Sequence, residues 1–473
     1  ASSAGPGADA RTRARLAAPW WARPRGGKLQ DVPRSDHDIA HEGAADHRVT
    51  LALLMVAGVS FALMQTLVVP ALPFFERAFD TSPEWTTWLV TSFLVSSSVL
   101  TPIIGKLGDA HGKKRMLVIS LAIFATASLG AAAAPNIETL IAFRALQGAG
   151  AAIFPLAFGI IRDQFPAQSV GTAIGTVSSV FGIGGGLGLV LSGVIVEHLN
   201  RHWLFLIGAI PVYAATVLVI RHVPESPHTT PAKPDYAGAA ALSVALATLL
   251  LALSGVGGSA AVAALYATAV AAGLAWVRIE RRTSEPMVDL RTLARPGMAA
   301  TNASTILIGF AMTAFFVLVP GFLQSPDAGF GLTPTQAGLI LTPFSLAMIA
   351  AGPLAGRLGT AKGRTLPLRI GLVLGAVSLA GLAVAHESQL VFGLWMPVMG
   401  AGMAFALAAI GALVIDHSQP HETGVTSAIN TIMRTTGAAI GAQLAATILV
   451  AHQGAPDGYT VALGVAAAAA LLA

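Results

Sequence analysis

Two arginines stand inside long apolar stretches. Arg144 has Gln147 one helical turn on, and Arg434 shares a helix face with Asn430, Gly437 and Gly441 at steps of three and four. A guanidinium withdrawn from water costs several kcal/mol unless it is paired. With no acid nearby in sequence, each arginine either bonds backbone carbonyls or meets a polar or anionic group of a bound molecule. A third cluster, Gly105-Lys-Leu-Gly-Asp109-Ala-His-Gly112-Lys113-Lys114-Arg115, sets one carboxylate four to six residues before three bases, and its glycines let the chain turn tightly. Its chemistry is ion pairing at a helix end. All 23 Asp and Glu fall outside the middle of the apolar stretches, and there is no HExxH, no GxxxxGK[ST] and no buried acid pair. An enzyme or a nucleotide-driven pump is therefore not expected. A proton carrier needs a group whose pKa crosses the working pH, which leaves Glu138, Glu197 and Asp416 near stretch ends, or a relay of water and Arg144.

The stretches that hold these groups are of membrane length. The 473 residues are 54% hydrophobic and 11% charged, with a mean hydropathy of +0.71, against about 25% charged in a soluble domain. A bilayer core takes roughly 20 apolar residues as helix. Fourteen runs approach that length: 49 to 71, 85 to 105, 116 to 134, 138 to 161, 169 to 196, 203 to 220, 237 to 255, 259 to 277, 298 to 323, 335 to 355, 366 to 385, 389 to 415, 424 to 450 and 459 to 473. They are continuous in Ala, Leu, Val and Gly without a period of two, which predicts helices and not barrel strands. The last run stops at Ala473 after about fifteen residues, so further chain is expected beyond it. Between the seventh and eighth runs only a short uncharged hairpin, 255 to 259, is left.

Lys and Arg collect in the cytoplasmic loops of membrane proteins. With a cytoplasmic N-terminus, 24 of the 28 fall in the tail or in such loops, Arg77 and Arg201 fall outside, and Arg144 and Arg434 lie within helices. The net charge of +5 then marks orientation and not nucleic-acid binding. Absence of Cys excludes disulfides and thiolate metal sites, and no metal or cofactor is expected. Residues 1 to 48 are expected to form a disordered basic cytoplasmic tail touching anionic membrane lipids.

Two segments repeat at an offset of 251: Pro102-Ile-Ile-Gly-Lys-Leu-Gly-Asp-Ala-His-Gly-Lys113 and Pro353-Leu-Ala-Gly-Arg-Leu-Gly-Thr-Ala-Lys-Gly-Arg364. They close the second and tenth runs, as a six-helix repeat with a two-helix insertion would. The expected layout is one bundle over 49 to 222, two inserted helices over 237 to 277 and a second bundle over 298 to 473, rocking around a midplane site.

Residues 105 to 115 resemble the loop signature between the second and third helices of the major facilitator superfamily. Arg144-Ala-Leu-Gln147-Gly148-Ala-Gly150-Ala-Ala152 is similar to a signature of its drug:proton antiporter branch, and fourteen runs resemble that branch's fourteen-spanner family. The resemblance implies an all-α major facilitator fold, two six-helix bundles plus two inserted helices, in the plasma or inner membrane. It implies a gate latch of Gly105, Asp109, Gly112, Lys113, Arg115 and Asp163, in which Asp109 meets bases and a helix N-terminus, and proton coupling through Arg144 and Gln147. Gly148 and Ala152 form a small pair for close helix packing. Gly175, Gly184, Gly188 and Gly193 resemble the antiporter glycine stripe of the fifth helix, packed against the opposite half. Leu189 stands where proline is usual and Ser192 where glycine is, and in the first run Met64 and Val69 replace the usual Asp and Asn.

The function implied is export of amphipathic, drug-like molecules in exchange for protons, by alternating access of a monomer. Phe61, Met64, Gln65, Asn302, Phe315, Phe316, Asn430 and Arg434 are expected on the walls of the cavity. A lipid-like exporter without tight proton coupling is the alternative, and a non-transporting sensor or membrane enzyme is the third reading.

Overall fold

Without water to bond to, every backbone N–H and C=O of an apolar run must be satisfied within the run, and the α-helix does this. A computed structural model describes residues 36–226, 235–253, 258–283, 286, 288–384, 388–419 and 422–473. Helices account for nearly all of them, and there is no strand among the described residues. The first half comprises α1 Asp36–Val68, α2 Leu72–Phe79, α3 Pro83–His111, α4 Lys113–Ala132, α5 Ile137–Gln147, α6 Ile153–Gln164, α7 Ala167–Ser178, α8 Val180–His198 and α9 Trp203–His222. A 3-10 turn, Gly148–Ala152, joins α5 to α6. Next come α10 Tyr236–Leu253, α11 Ser259–Glu280 and the short α12 Leu290–Ala294. The second half comprises α13 Pro296–Gln324, α14 Pro334–Lys362, α15 Thr365–Val384, α16 Gln389–His417, α17 Thr423–Ala451 and α18 Pro456–Leu472.

Local signals set several of these starts. Asn136 accepts from the Thr139 N–H at 2.9 Å ahead of α5. Thr333 and Gln336 cap each other ahead of Pro334. Twelve helices among the described residues are long and apolar enough to cross a membrane, with α5 and α6 counting as one and α7 and α8 as another. The other two of the fourteen expected runs are also helical. Of these, α17 has the length, 29 residues, but carries Asn430 and Arg434, and α18 has 17. The expected disordered tail is corrected at one end: α1 begins at Asp36, since no proline after Pro33 stops the helix from running back from the apolar run. Residues 1–35 lie outside the described residues, as do 254–257 of the expected hairpin.

Contacts divide the chain into two units, Ala1–Ala45 and Asp46–Ala473. The second unit holds two large apolar cores, one running from Leu53 to Val223 and taking in Ala412 and Ile415 from the second half, and the other from Ile308 to Ala470. A smaller cluster places α10, through Leu242 and Leu246, against Val425, Ile429 and Ile432 of α17, and α10 also packs on α3. Of the inserted helices α10 therefore lies across the seam between the halves, and α11 packs on α10. Glu280 ties the end of α11 to the segment leading into α12, accepting from Trp276 Nε1 at 2.9 Å and from the Val288 N–H at 3.2 Å.

Candidate functional site

At one end of the bundle Gly105 and Gly424 let α3 and α17 meet backbone to backbone. A Cβ on Gly105 would lie 2.8 Å from the Gly424 carbonyl oxygen. This approach brings the N-terminus of α17 to Asp109, whose two oxygens accept from the N–H groups of Gly424 and Val425 at 3.0 Å each. Unsatisfied N–H groups and the positive end of the dipole favour a carboxylate at that point. Lys113 donates to Asp163 at 2.7 Å and lies 3.8 Å from Asp109. Asp109 and Lys113 are 3% and 0% exposed, so water cannot replace a lost partner. Gly112, at φ +104, turns the chain out of α3 in a conformation that L side chains rarely adopt. Over it lies Glu225, whose oxygens accept from the N–H groups of Lys114 and Arg115 at the start of α4 at 2.9 and 3.1 Å.

Arg115 is the exception among the expected latch residues. Only its backbone N–H takes part, because α4 turns its side chain outward to an exposed position. Arg162, next to Asp163, crosses the seam instead. It donates to Thr423 Oγ1 at 2.7 Å and to the carbonyls of Ser418 and Gln419 at 3.0 and 3.3 Å.

The repeated segment keeps the backbone and changes the charge. Gly363 repeats the positive φ at +91, and Gly356 touches Gly171 and Thr172 of α7 as Gly105 touches Gly424. Arg364 pairs with Asp416 at 3.2 Å, matching Lys113 with Asp163. Thr360 stands in the place of Asp109 and turns back to the Gly356 carbonyl, and no side chain caps α7. The carboxylate latch is therefore on one side of the seam only. These contacts put Lys113 and Lys362 at the same end of the bundle.

The glycine stripe is corrected. Gly175 touches the Gly352 backbone, and Gly193 touches Pro334 and Thr335, both on α14 of the opposite half. Gly184 and Gly188 face Ala62 and Thr66 of α1 inside their own half. A step of nine residues at about 100° each is half a turn, so these pairs cannot share a face. The face toward α14 is Gly175, Gly182, Gly186 and Gly193, meeting Gly352, Met348, Ser345 and Thr335 in turn. At the position of the missing proline, Leu189, α8 runs unbroken; the break falls at Ser179, whose Oγ donates to the Thr176 carbonyl at 2.6 Å.

Between the halves lies a narrow cavity, with about 30 Å³ of room for the centre of a water-sized sphere and about 430 Å³ of empty space when open solvent is counted. Phe154, Phe158, Ser178 and Phe181 line it from the first half, and Leu407, Ile410, Gly411, Val414, Ser427, Asn430, Thr431 and Arg434 from the second. The pairs Phe154 and Leu407, Phe158 and Gly411, Ser178 and Thr431, and Phe181 and Arg434 are each 253 residues apart. They are repeat counterparts, so the cavity sits on the axis relating the halves. The Arg434 guanidinium stands 4.7 Å from the Phe181 ring centre, and Phe154 stacks on Phe181 at 4.4 Å.

Of the expected wall residues, Asn430 and Arg434 line this cavity. Asn430 also donates to Asn302 at 3.0 Å and to Thr305 at 2.8 Å, which puts Asn302 behind the wall. Phe61 supports Phe154 at 5.8 Å from within the first core, 4% exposed. Met64 and Phe315 are fully buried in their own halves and belong to the cores, a correction: Met64 fills the space left by Gly208, and Phe315 stacks on Phe344. Phe316 reaches across the seam to Gly185 away from the cavity, and Gln65 is half-buried on α1, also away from it.

Arg144 and Gln147 form one chain of bonds. Arg144 donates to the Leu89 carbonyl at 2.9 Å and to Gln147 Oε1 at 2.7 Å, and Gln147 donates to Ser128 at 2.9 Å. Phe93 covers the guanidinium at 4.5 Å. Gly148 opens the space for this, since a Cβ there would lie 2.6 Å from the Ser97 nitrogen on α3. The partners are a carbonyl, an amide and a ring. Of the other candidate proton carriers, Glu138 and Glu197 are exposed and Asp416 is paired with Arg364.

Two bundles, a matching pair of turns and a cavity on their axis agree with a sequence match of residues 54–279 and 301–473 to one family. The chain belongs to the Major Facilitator Superfamily. It is a multi-pass membrane transporter of small molecules and not an enzyme. Among relatives of this superfamily member, the lincomycin resistance protein of Streptomyces lincolnensis is 32% identical over 357 residues, 73% of this chain and 70% of that one. Multidrug resistance protein 3 of Bacillus subtilis is 29% identical over 372 residues, 76% and 72% of the two chains. The solved structure of the human organic anion transporter MFSD10 shares the fold alone: TM-score 0.66 at 16% identity, over 90% of this chain and 98% of that one.

Reading the sequence of this superfamily member missed Arg162 and the aromatic wall. Arg162 was visible as a second charge beside Asp163. The phenylalanines carry no charge to mark them, but the 253-residue offset applied to Arg434 and Thr431 points to Phe181 and Ser178.

Proposed function

We propose that this transporter exports amphipathic small molecules across the cell membrane in exchange for protons, acting as a monomer with its N-terminus and its latch on the cytoplasmic side. The observation that carries the reading is the cavity on the axis between the halves, closed at one end by polar contacts. Asp109 on the α17 N-terminus and Arg162 on Thr423 are discrete bonds that can be broken and remade, as alternating access requires. Relatives named for lincomycin and multidrug resistance support drug-like substrates.

One observation favours a second reading, export of lipid-like molecules without tight proton coupling. Among the described residues lining the cavity none is Asp or Glu, and Met64 occupies the place of the usual aspartate. Purified protein in proteoliposomes, tested with neutral, cationic and anionic fluorescent dyes under an imposed pH gradient, separates the two. Proton exchange predicts dye movement that accelerates with the gradient and stops when an ionophore collapses it. Movement indifferent to the gradient would reject exchange and leave export, and no movement of any dye would reject export of drug-like molecules.

A further inference from the structure

The two walls of the cavity differ in kind. The first half contributes three aromatic rings, Phe154, Phe158 and Phe181, with Ser178, while in the second half α16 contributes Leu407, Ile410, Gly411 and Val414 and α17 contributes Ser427, Asn430, Thr431 and Arg434. Ser427 and Arg434 are seven residues, roughly 10 Å, apart on one helix face. A guanidinium has five N–H donors in its plane and none on its faces. Phe181 covers one face of Arg434, and among the described residues no side chain or carbonyl accepts from its edge. Ser427, 4% exposed, has a buried hydroxyl without a partner in the same cavity. Two unspent polar groups on one wall, opposite an aromatic one and with no acid among the described lining residues, amount to an incomplete site.

Arg144 shows the contrast. It is fully buried under a phenylalanine, where Arg434 is half-buried, and its edge is bonded to Leu89 and Gln147 outside the lining of this cavity. The offset of 253 adds that Arg434 stands where the first half has Phe181, so the cation is a departure from the repeat, placed on its axis.

We propose that the cavity takes an amphipathic acid: a carboxylate, sulfonate or phosphate against the edge of Arg434, with an aromatic or flat apolar body against Phe154, Phe158 and Phe181. Planar oxyanions match the guanidinium fork with two parallel hydrogen bonds, and rings stack on the phenylalanine wall. The site gives the exported molecules a charge sign, and it rests on the transporter reading above.

The test uses the full chain purified in detergent and two probes of one shape, 2-naphthylacetate and 2-(2-naphthyl)ethanol, with binding read by equilibrium dialysis and naphthalene fluorescence. Wild-type protein is expected to bind the acid at least about tenfold more tightly than the alcohol. Arg434→Gln is expected to weaken the acid by about tenfold and the alcohol less than twofold, with Arg434→Lys between. Equal affinity of the wild type for the two probes would overturn the proposal, and that comparison needs no variant to fold. Loss of both probes in a well-folded Arg434→Gln would also overturn it, assigning Arg434 to structure. Binding is read without transport, so a chain that prefers the acid yet moves no dye in proteoliposomes refutes export alone.

Discussion

Asp109→Asn is expected to open the latched end and to lower transport about tenfold or more at normal expression. The asparagine keeps the shape but loses the charge and one of two acceptors for the Gly424 and Val425 N–H groups. Hydrogen bonds to a charged group contribute about 1.5–3 kcal/mol, which is roughly 10- to 150-fold in the ratio of latched to unlatched states. Lys113 retains Asp163 at 2.7 Å, so the first half should stay folded while the seam weakens. The chain has no cysteine, so a single Thr431→Cys on the cavity wall can report. An impermeant maleimide supplied from the latch side should label it about tenfold faster in the Asp109→Asn background. An unchanged labelling rate together with unchanged turnover would reduce Asp109 to a marker of membrane orientation.

Gly175→Val is expected to abolish transport. A side chain there would overlap the Gly352 carbonyl oxygen, and both sides of the contact are backbone, with no flexible end to move aside. Because Gly175 faces the opposite half, the damage should fall on closure of the halves, and expression should persist. Gly184→Val, facing Ala62 within the first half, should instead lower the unfolding temperature. Gly464 on α18 has nothing within 4 Å, so Gly464→Val serves as the control without effect. Wild-type transport by the Gly175→Val protein would show that the α7 and α14 backbones need not meet during the cycle.

The parts legible in the sequence were those written in charge and in glycine spacing. Lys113, Asp109 and Asp163 are legible through the resemblance of residues 105 to 115 to the superfamily's loop signature, and the repeated turn because a positive φ demands Gly112 and Gly363 alike. Arg434 stood out as a cation in an apolar run. What failed was the choice of face. Met64 and Phe315 are apolar residues on apolar helices, and apolar residues face a core, a cavity and lipid alike, so nothing in their pattern says which. The glycine stripe failed for a different reason: steps of nine, four and five cross from one side of a helix to the other, as the helical period of 3.6 residues requires. Arg115 was misplaced because a run of three bases shares one loop while only its first side chain, Lys113, points inward.

In alternating access the two halves part at one end as they meet at the other. Spin labels on Gln168→Cys with Lys362→Cys at the latched end, and on Asn200→Cys with Thr333→Cys at the opposite end, span the seam at exposed positions of a chain with no native cysteine. Interspin distances measured by pulsed electron resonance in lipid, with and without a bound dye and at two pH values, should change in opposite senses at the two ends. Distances that stay fixed at both ends, or that widen together, would contradict alternating access in this protein.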